Sequence, residues 1–94
     1  MSKLEKKVVV ITGSTRGFGY AIAEEMLKKG AKVVISGRSQ NSVDAALNNL
    51  QADDTRVAGI PCEVSDEGQV RALAAKSIEK FGQIDIWINN AGFS

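Results

Sequence analysis

Four short runs of apolar, largely β-branched residues are spaced along this chain, and a stretch with helical periodicity separates each from the next. Lys7–Thr12 holds Val8-Val9-Val10-Ile11, Lys32–Ser36 holds Val33-Val34-Ile35, and Arg56–Ile60 and Ile84–Ile88 complete the set. An apolar run without polar alternation suits a strand buried on both faces. Between the runs, Ile22, Ala23, Met26 and Leu27 recur at helical spacing, and Val43, Ala46, Leu47 and Leu50 fall at i, i+3, i+4 and i+7. A third helix is expected to bury Val70, Leu73, Ala74, Ser77, Ile78 and Phe81. Gly30 and Gly82 close the first and third helices, Pro61 ends the third strand, and Ser65, followed by Asp66 and Glu67, is expected to cap the third helix.

The element order is therefore βαβαβαβ, which demands a parallel sheet with helices packed on it. Right-handed crossovers place the first two helices on one face if the strands run outward as 1, 2, 3. Setting strand 4 beside strand 1 moves the third helix to the other face. The expected fold is thus α/β, a Rossmann-like doubly wound parallel sheet of order 3-2-1-4, with residues 1–94 as its first half. In such sheets ligands sit at the carboxyl ends of the strands where the order reverses. Gly13 and Asn89 fall there.

Composition removes several alternatives. A formal net charge of +1 argues against a nucleic-acid partner, and Lys3, Lys6 and Lys7, with Glu5 among them, read as a solvated end. The single cysteine, Cys62, excludes an internal disulfide and a zinc site built on cysteine pairs, and reads as a packed, inert thiol. With no histidine there is no imidazole base or His-based metal site. No apolar run is long enough to span a bilayer, and the N-terminus lacks a signal-peptide pattern. The expected setting is the cytoplasm, or an organelle reached through a transit peptide since removed. Met26 and Trp87 read as core residues.

Gly13, Gly17 and Gly19 lie between the first strand and first helix, where a dinucleotide fingerprint belongs. Gly13 permits a sharp exit from the strand, Gly17 lets backbone approach a pyrophosphate, and Gly19 lets the helix pack tightly on the sheet. The helix N-terminus offers unpaired N–H groups and partial positive charge to phosphates. The spacing G-x-x-x-G-x-G is one residue longer at its first interval than G-x-G-x-x-G, and no Walker Lys-Ser/Thr pair follows.

Thr12-Gly13-Ser14-Thr15-Arg16-Gly17-Phe18-Gly19 resembles the TGxxxGxG motif of the short-chain dehydrogenases/reductases, and Asn89-Asn90-Ala91-Gly92 resembles their NNAG motif after the fourth strand. The resemblance covers the whole chain. It implies cofactor binding by Gly13, Ser14, Thr15, Arg16, Gly17, Phe18 and Gly19. It also implies that Asn90, Ala91 and Gly92 stabilise the sheet and border the adenosine ribose. Phe18 stands where the family has a small aliphatic residue and is expected to need extra room near the nicotinamide. Glu63-Val64 stands where the family has an aspartate before an aliphatic residue. Its carboxylate is a candidate acceptor for the adenine amino group, with a solvated loop acid as the alternative.

An NAD site needs an acid about 20 residues past the glycines. Here that region reads Ser36-Gly37-Arg38-Ser39, and the next acid, Asp44, lies inside the second helix. Gly37 leaves room for a phosphate, Arg38 offers a planar fork for it, and Arg16 can reach the same spot. In NADP-dependent members of the family these positions are often basic. The expected cofactor is therefore NADP(H) rather than NAD(H).

The family's chemistry uses a Tyr-x-x-x-Lys pair with an upstream serine, acting on a carbonyl or alcohol substrate. The one tyrosine here, Tyr20, has Glu24 four residues on and lies in the first turn of a helix. No catalytic residue is therefore assigned. The resemblance implies the cofactor-binding part of an oxidoreductase, inactive alone. Alternatives are a stand-alone module that holds a dinucleotide without turning it over, and a half-domain with no ligand. Strand 4, an apolar edge in this order, is expected to promote self-association.

Overall fold

The structure, a computed structural model, describes residues 4–91. Its elements follow the order β1 (Val8–Ile11), α1 (Gly17–Lys28), β2 (Lys32–Ile35), α2 (Gln40–Leu50), β3 (Val57–Gly59), α3 (Glu67–Phe81) and β4 (Ile86–Ile88). Every strand pairing is parallel and the sheet order is β3-β2-β1-β4, as the crossover rule requires. Val10 stands level with Val34 on one side and Trp87 on the other.

The alternation of side chains along β1 and β2 divides the core into two layers. Val9, Ile11, Val33 and Ile35 pack with Ala23 and Leu27 of α1 and Ala46 of α2. Val10 and Val34 face the other way, onto Leu73 of α3 and Cys62. All four β1 residues are buried, which is why this strand carries no polar residue on either face. Burying each such side chain contributes about 1.5–3 kcal/mol.

The expected elements are all present, with shorter strands. Helix α3 begins one residue later than expected, because Asp66, not Ser65, is its N-cap and accepts a hydrogen bond from the Gln69 amide. Ser65 instead donates its hydroxyl to Glu63. Strand β3 starts after Arg56, whose guanidinium turns away and donates to the carbonyls of Leu27 and Ala31 at 2.6 and 2.9 Å. That side chain caps the end of α1 from another element. Ile78, expected in the buried stripe of α3, is 49% exposed, and Met26 and Trp87 are only half-buried.

At the N-terminal end of the sheet, Asp85 replaces the first rung of β4. Its amide donates to the Val8 carbonyl, and its carboxylate accepts from the Val8 amide at 2.8 Å. That bond, opposed by desolvation and aided to a lesser degree by Gln83 and Lys7, holds the Asp85 carboxyl below its ordinary range. The bond joins β1 to β4 at the end opposite the glycine loop.

Candidate dinucleotide site

Strand β1 leaves the sheet through Thr12, whose amide still donates to Ile88 of β4. Gly13 then turns the chain with φ +60°, and a Cβ there would lie 2.9 Å from the Ala91 Cα. Both the handedness of the turn and the approach of the segment after β4 therefore require glycine. Gly17 also has a positive φ, +62°, but a Cβ there would meet nothing within 4 Å. Its backbone faces open space. At Gly19 a Cβ would lie 2.5 Å from both the Asn90 Nδ2 and the Gly13 carbonyl oxygen. The close contact of Gly19 is thus with the loop and Asn90, rather than with the sheet as expected.

Thr12 and Asn90 fasten the two loops together. The Thr12 hydroxyl oxygen accepts from the amides of Asn90 and Ala91 at 3.0 and 3.1 Å. Asn90 donates its side-chain amide to the Gly13 carbonyl at 2.9 Å. Both side chains are buried. Thr12 was not expected among the site residues; a hydroxyl directly after four apolar residues was the available signal. Gly92 lies outside the described residues.

Ser14 is fully buried, so its side chain serves the scaffold. Its hydroxyl donates to Ile11 and accepts from the Ser36 amide, while its own amide donates to the Ser36 carbonyl. Gly37 follows Ser36, and a Cβ there would lie 2.6 Å from the Thr15 methyl. Any side chain at position 37 would collide with Thr15, and Gly37 itself lines the adjoining cleft.

Beyond these contacts the loops after β1 and β2 diverge to open a cleft of about 400 Å³. Thr15 and Arg16 line one side and Arg38 and Ser42 another, with Cys62, Glu63 and Val64 from the loop after β3 closing it. Arg16 and Arg38 are both exposed, and among the described residues neither forms an ion pair. Helix α1 has Arg16 at its N-cap, with no side-chain acceptor and no acid in its first turn. By contrast, Ser39 and Asp66 cap α2 and α3. The first-turn amides of α1 thus lack the partners that the other two helices supply internally. They present positive potential beside the cleft.

The third wall is less committed to a ligand. The Glu63 carboxylate accepts from the Ser65 hydroxyl at 3.2 Å, and the Glu63 amide donates to Gln69. Cys62 is buried, and burial first, with Asp66 and Glu63 adding, raises its thiol pKa. It is a packed thiol, as expected. Phe18 is 75% exposed and stands outside the cleft lining. Burial and Glu24 raise the Tyr20 phenol above its ordinary value, opposite to what a proton-transferring tyrosine needs. Among the described residues no group of His, Cys, Asp and Glu could hold a metal ion.

Comparison with known proteins decides the family. A family profile described as short chain dehydrogenase matches residues 7–94. The chain belongs to the short chain dehydrogenase family. It is 48% identical over 86 residues to the chloroplastic chlorophyll(ide) b reductase NOL of Oryza sativa subsp. japonica, covering 89% of this chain and 25% of the relative. A short chain dehydrogenase from Bacillus anthracis superposes with a TM-score of 0.85 at 35% identity, over 92% of this chain and 35% of the other. A 3-ketoacyl-(acyl-carrier-protein) reductase from Brucella melitensis, complexed with NADH, superposes with a TM-score of 0.82 at 33% identity, over 90% and 34%. The chain therefore spans a quarter to about a third of the length of these short chain dehydrogenase relatives. No helix among its described residues is long and apolar enough to cross a membrane.

Proposed function

We propose that residues 1–94 form the cofactor-binding half of an NADP(H)-dependent oxidoreductase acting on a carbonyl or alcohol. The observation that carries this reading is the uncapped N-terminus of α1 beside a cleft flanked by two unpaired arginines. The first-turn amides and Gly17 would take the diphosphate, since the backbone there is open to approach. Arg16 and Arg38 would take a phosphate on the adenosine ribose, in line with the absence of an acid at the end of β2. Val64 and Ala91 would border the adenosine, with Glu63 available to its amino group. A nicotinamide dinucleotide, when bound, supplies hydride transfer. No residue of this chain is assigned to proton transfer. We propose the cytoplasm, or an organelle reached through a transit peptide since removed, as its setting; the rice relative is named chloroplastic.

A hydrogen bond to a charged group contributes about 1.5–3 kcal/mol. Two arginines on one phosphate would therefore favour NADP(H) by about a hundredfold or more. Titration with both cofactors, in wild type and Arg38→Asp, tests this. The expected result is tighter binding of NADP(H), with the preference lost in the variant. Equal or tighter binding of NAD(H) by wild type, or an unchanged preference in Arg38→Asp, would overturn it.

A further inference from the structure

We infer that Ser14 is a positioning residue that fixes the spacing of Arg16 and Arg38, and so sets how strongly the site distinguishes a phosphorylated from an unphosphorylated ribose. The inference rests on the NADP(H) reading above and adds a residue that touches no ligand. Ser14 is fully buried and Ser36 is 1% exposed, and three hydrogen bonds converge on the pair. The Ser14 amide donates to the Ser36 carbonyl at 2.8 Å, and the Ser36 amide donates to the Ser14 hydroxyl at 2.9 Å. The same hydroxyl donates to the Ile11 carbonyl at 2.7 Å. The link therefore ties the end of β1, the glycine loop and the end of β2 at one point.

Each arginine follows its serine by two residues: Arg16 after Ser14 and Arg38 after Ser36. The intervening residues, Thr15 and Gly37, are in contact so close that no Cβ fits at Gly37. Among the described residues neither guanidinium has an ion-pair partner to hold it, so the backbone junction beneath them sets the positions from which the two side chains reach a shared phosphate. A planar fork loses its two-point grip on a phosphate when displaced by a fraction of a hydrogen-bond length. The diphosphate, held by amides of α1, does not depend on Arg38. Loosening the junction should therefore weaken both cofactors slightly, through the loop they share, and weaken much more the one that carries the extra phosphate.

Ser14→Ala removes the acceptor of the buried Ser36 amide and the donor to Ile11, leaving one of the three bonds. Ser77→Ala is the control. That serine is also fully buried, with its hydroxyl on the Leu73 carbonyl at 2.7 Å, inside α3. The measurements are NADP+ and NAD+ dissociation constants and amide exchange of residues 13–17 and 36–38 in the intact protein. In Ser14→Ala the affinity for NADP+ is expected to fall about tenfold and that for NAD+ by less than about twofold. Exchange is expected to rise in both segments together. Ser14→Cys, which retains a weaker donor and acceptor, should fall between wild type and Ser14→Ala, and Ser77→Ala should leave the ratio of the two constants unchanged. An unchanged ratio in the Ser14 variants, or equal weakening of both cofactors, overturns the inference. A wild type without NADP+ preference overturns the cofactor reading instead. In that case unchanged exchange in both segments of Ser14→Ala would sink the junction independently.

Discussion

Replacing Gly19 by alanine sets two opposed effects against each other at the mouth of the cleft. On helix propensity alone the change stabilises α1 by about 0.8–1 kcal/mol, because glycine loses more backbone freedom on folding. The surroundings of the missing Cβ predict the reverse. It would lie 2.5 Å from the Gly13 carbonyl oxygen, 2.5 Å from the Asn90 Nδ2 and 3.0 Å from the Ser14 Cα. Two of those atoms are backbone, and the third is held by its own 2.9 Å bond to Gly13. Nothing there is the free end of a flexible side chain. Relieving the overlap costs about 1–3 kcal/mol, and displacing Asn90 from Gly13 costs about 0.5–1.5 kcal/mol more. The net expectation is a loss of about 0.5–3.7 kcal/mol, and each kcal/mol lowers Tm by about 4–8 °C in a domain of this size. Thermal and urea denaturation followed by circular dichroism would measure it. Asn90→Ala removes one of the clashing atoms, so the double variant should lose less than the two single losses summed. A Gly19→Ala protein as stable as wild type, or more stable, would refute the packing argument and leave propensity in control.

Arg56→Ala should lower stability by about 1.5–3 kcal/mol, read from urea midpoints, because the Leu27 and Ala31 carbonyls lose a charged donor; Arg56→Lys should recover part of the loss. Asp85 has a depressed folded-state pKa, so its contribution is complete above the ordinary aspartate value of 3.8 and disappears as pH falls below it. Asp85→Asn should therefore flatten the acid limb of a stability-against-pH curve while leaving its neutral part lower. Strand β4 has no outer neighbour among the described residues, so the 94-residue chain is expected to self-associate through Ile86–Ile88; a monomer at all concentrations in sedimentation would count against this.

What could be read from the sequence was whatever periodicity and local turn chemistry determine. Unalternating apolar runs identified β1 and β2, and crossover handedness then left only one economical strand order. Gly13 was legible because a positive φ after a strand leaves few residue choices. The roles of Gly19 and Gly37 were not, because each depends on an atom distant in sequence: Asn90 for one, Thr15 for the other. Arg56 was hidden for the same reason. Its partners are Leu27 in the last turn of α1 and Ala31 just after it, 29 and 25 residues earlier, and nothing in the local pattern distinguishes a capping arginine from a solvated one. Ser65 and Asp66 are both good caps, and only the hydrogen bond to Gln69 decides between them.

The two ends of the sheet use polar groups in opposite ways, and the difference favours the proposed anion site at one of them. At the N-terminal ends of the strands, exposed donors and acceptors are matched within the chain: Asp85 with Val8, and Arg56 with the end of α1. At the C-terminal ends, the buried groups of Thr12, Ser14 and Asn90 fix the loops, and the α1 N-terminus, Arg16 and Arg38 bring donors to the cleft. Among the described residues the α1 N-terminus has no side-chain cap, and Arg16 and Arg38 have no ion-pair partner. Capping α1 internally would need an acceptor at Arg16 or an acid in the turn that reads Gly17-Phe18-Gly19. The sequence offers neither. A rigid loop carrying unpaired donors needs no rearrangement to receive an anion, so little of the binding free energy is lost to ordering the site. The same packing would make the proposed site sensitive to small displacements at Ser14 and Gly19, neither of which lines the cleft.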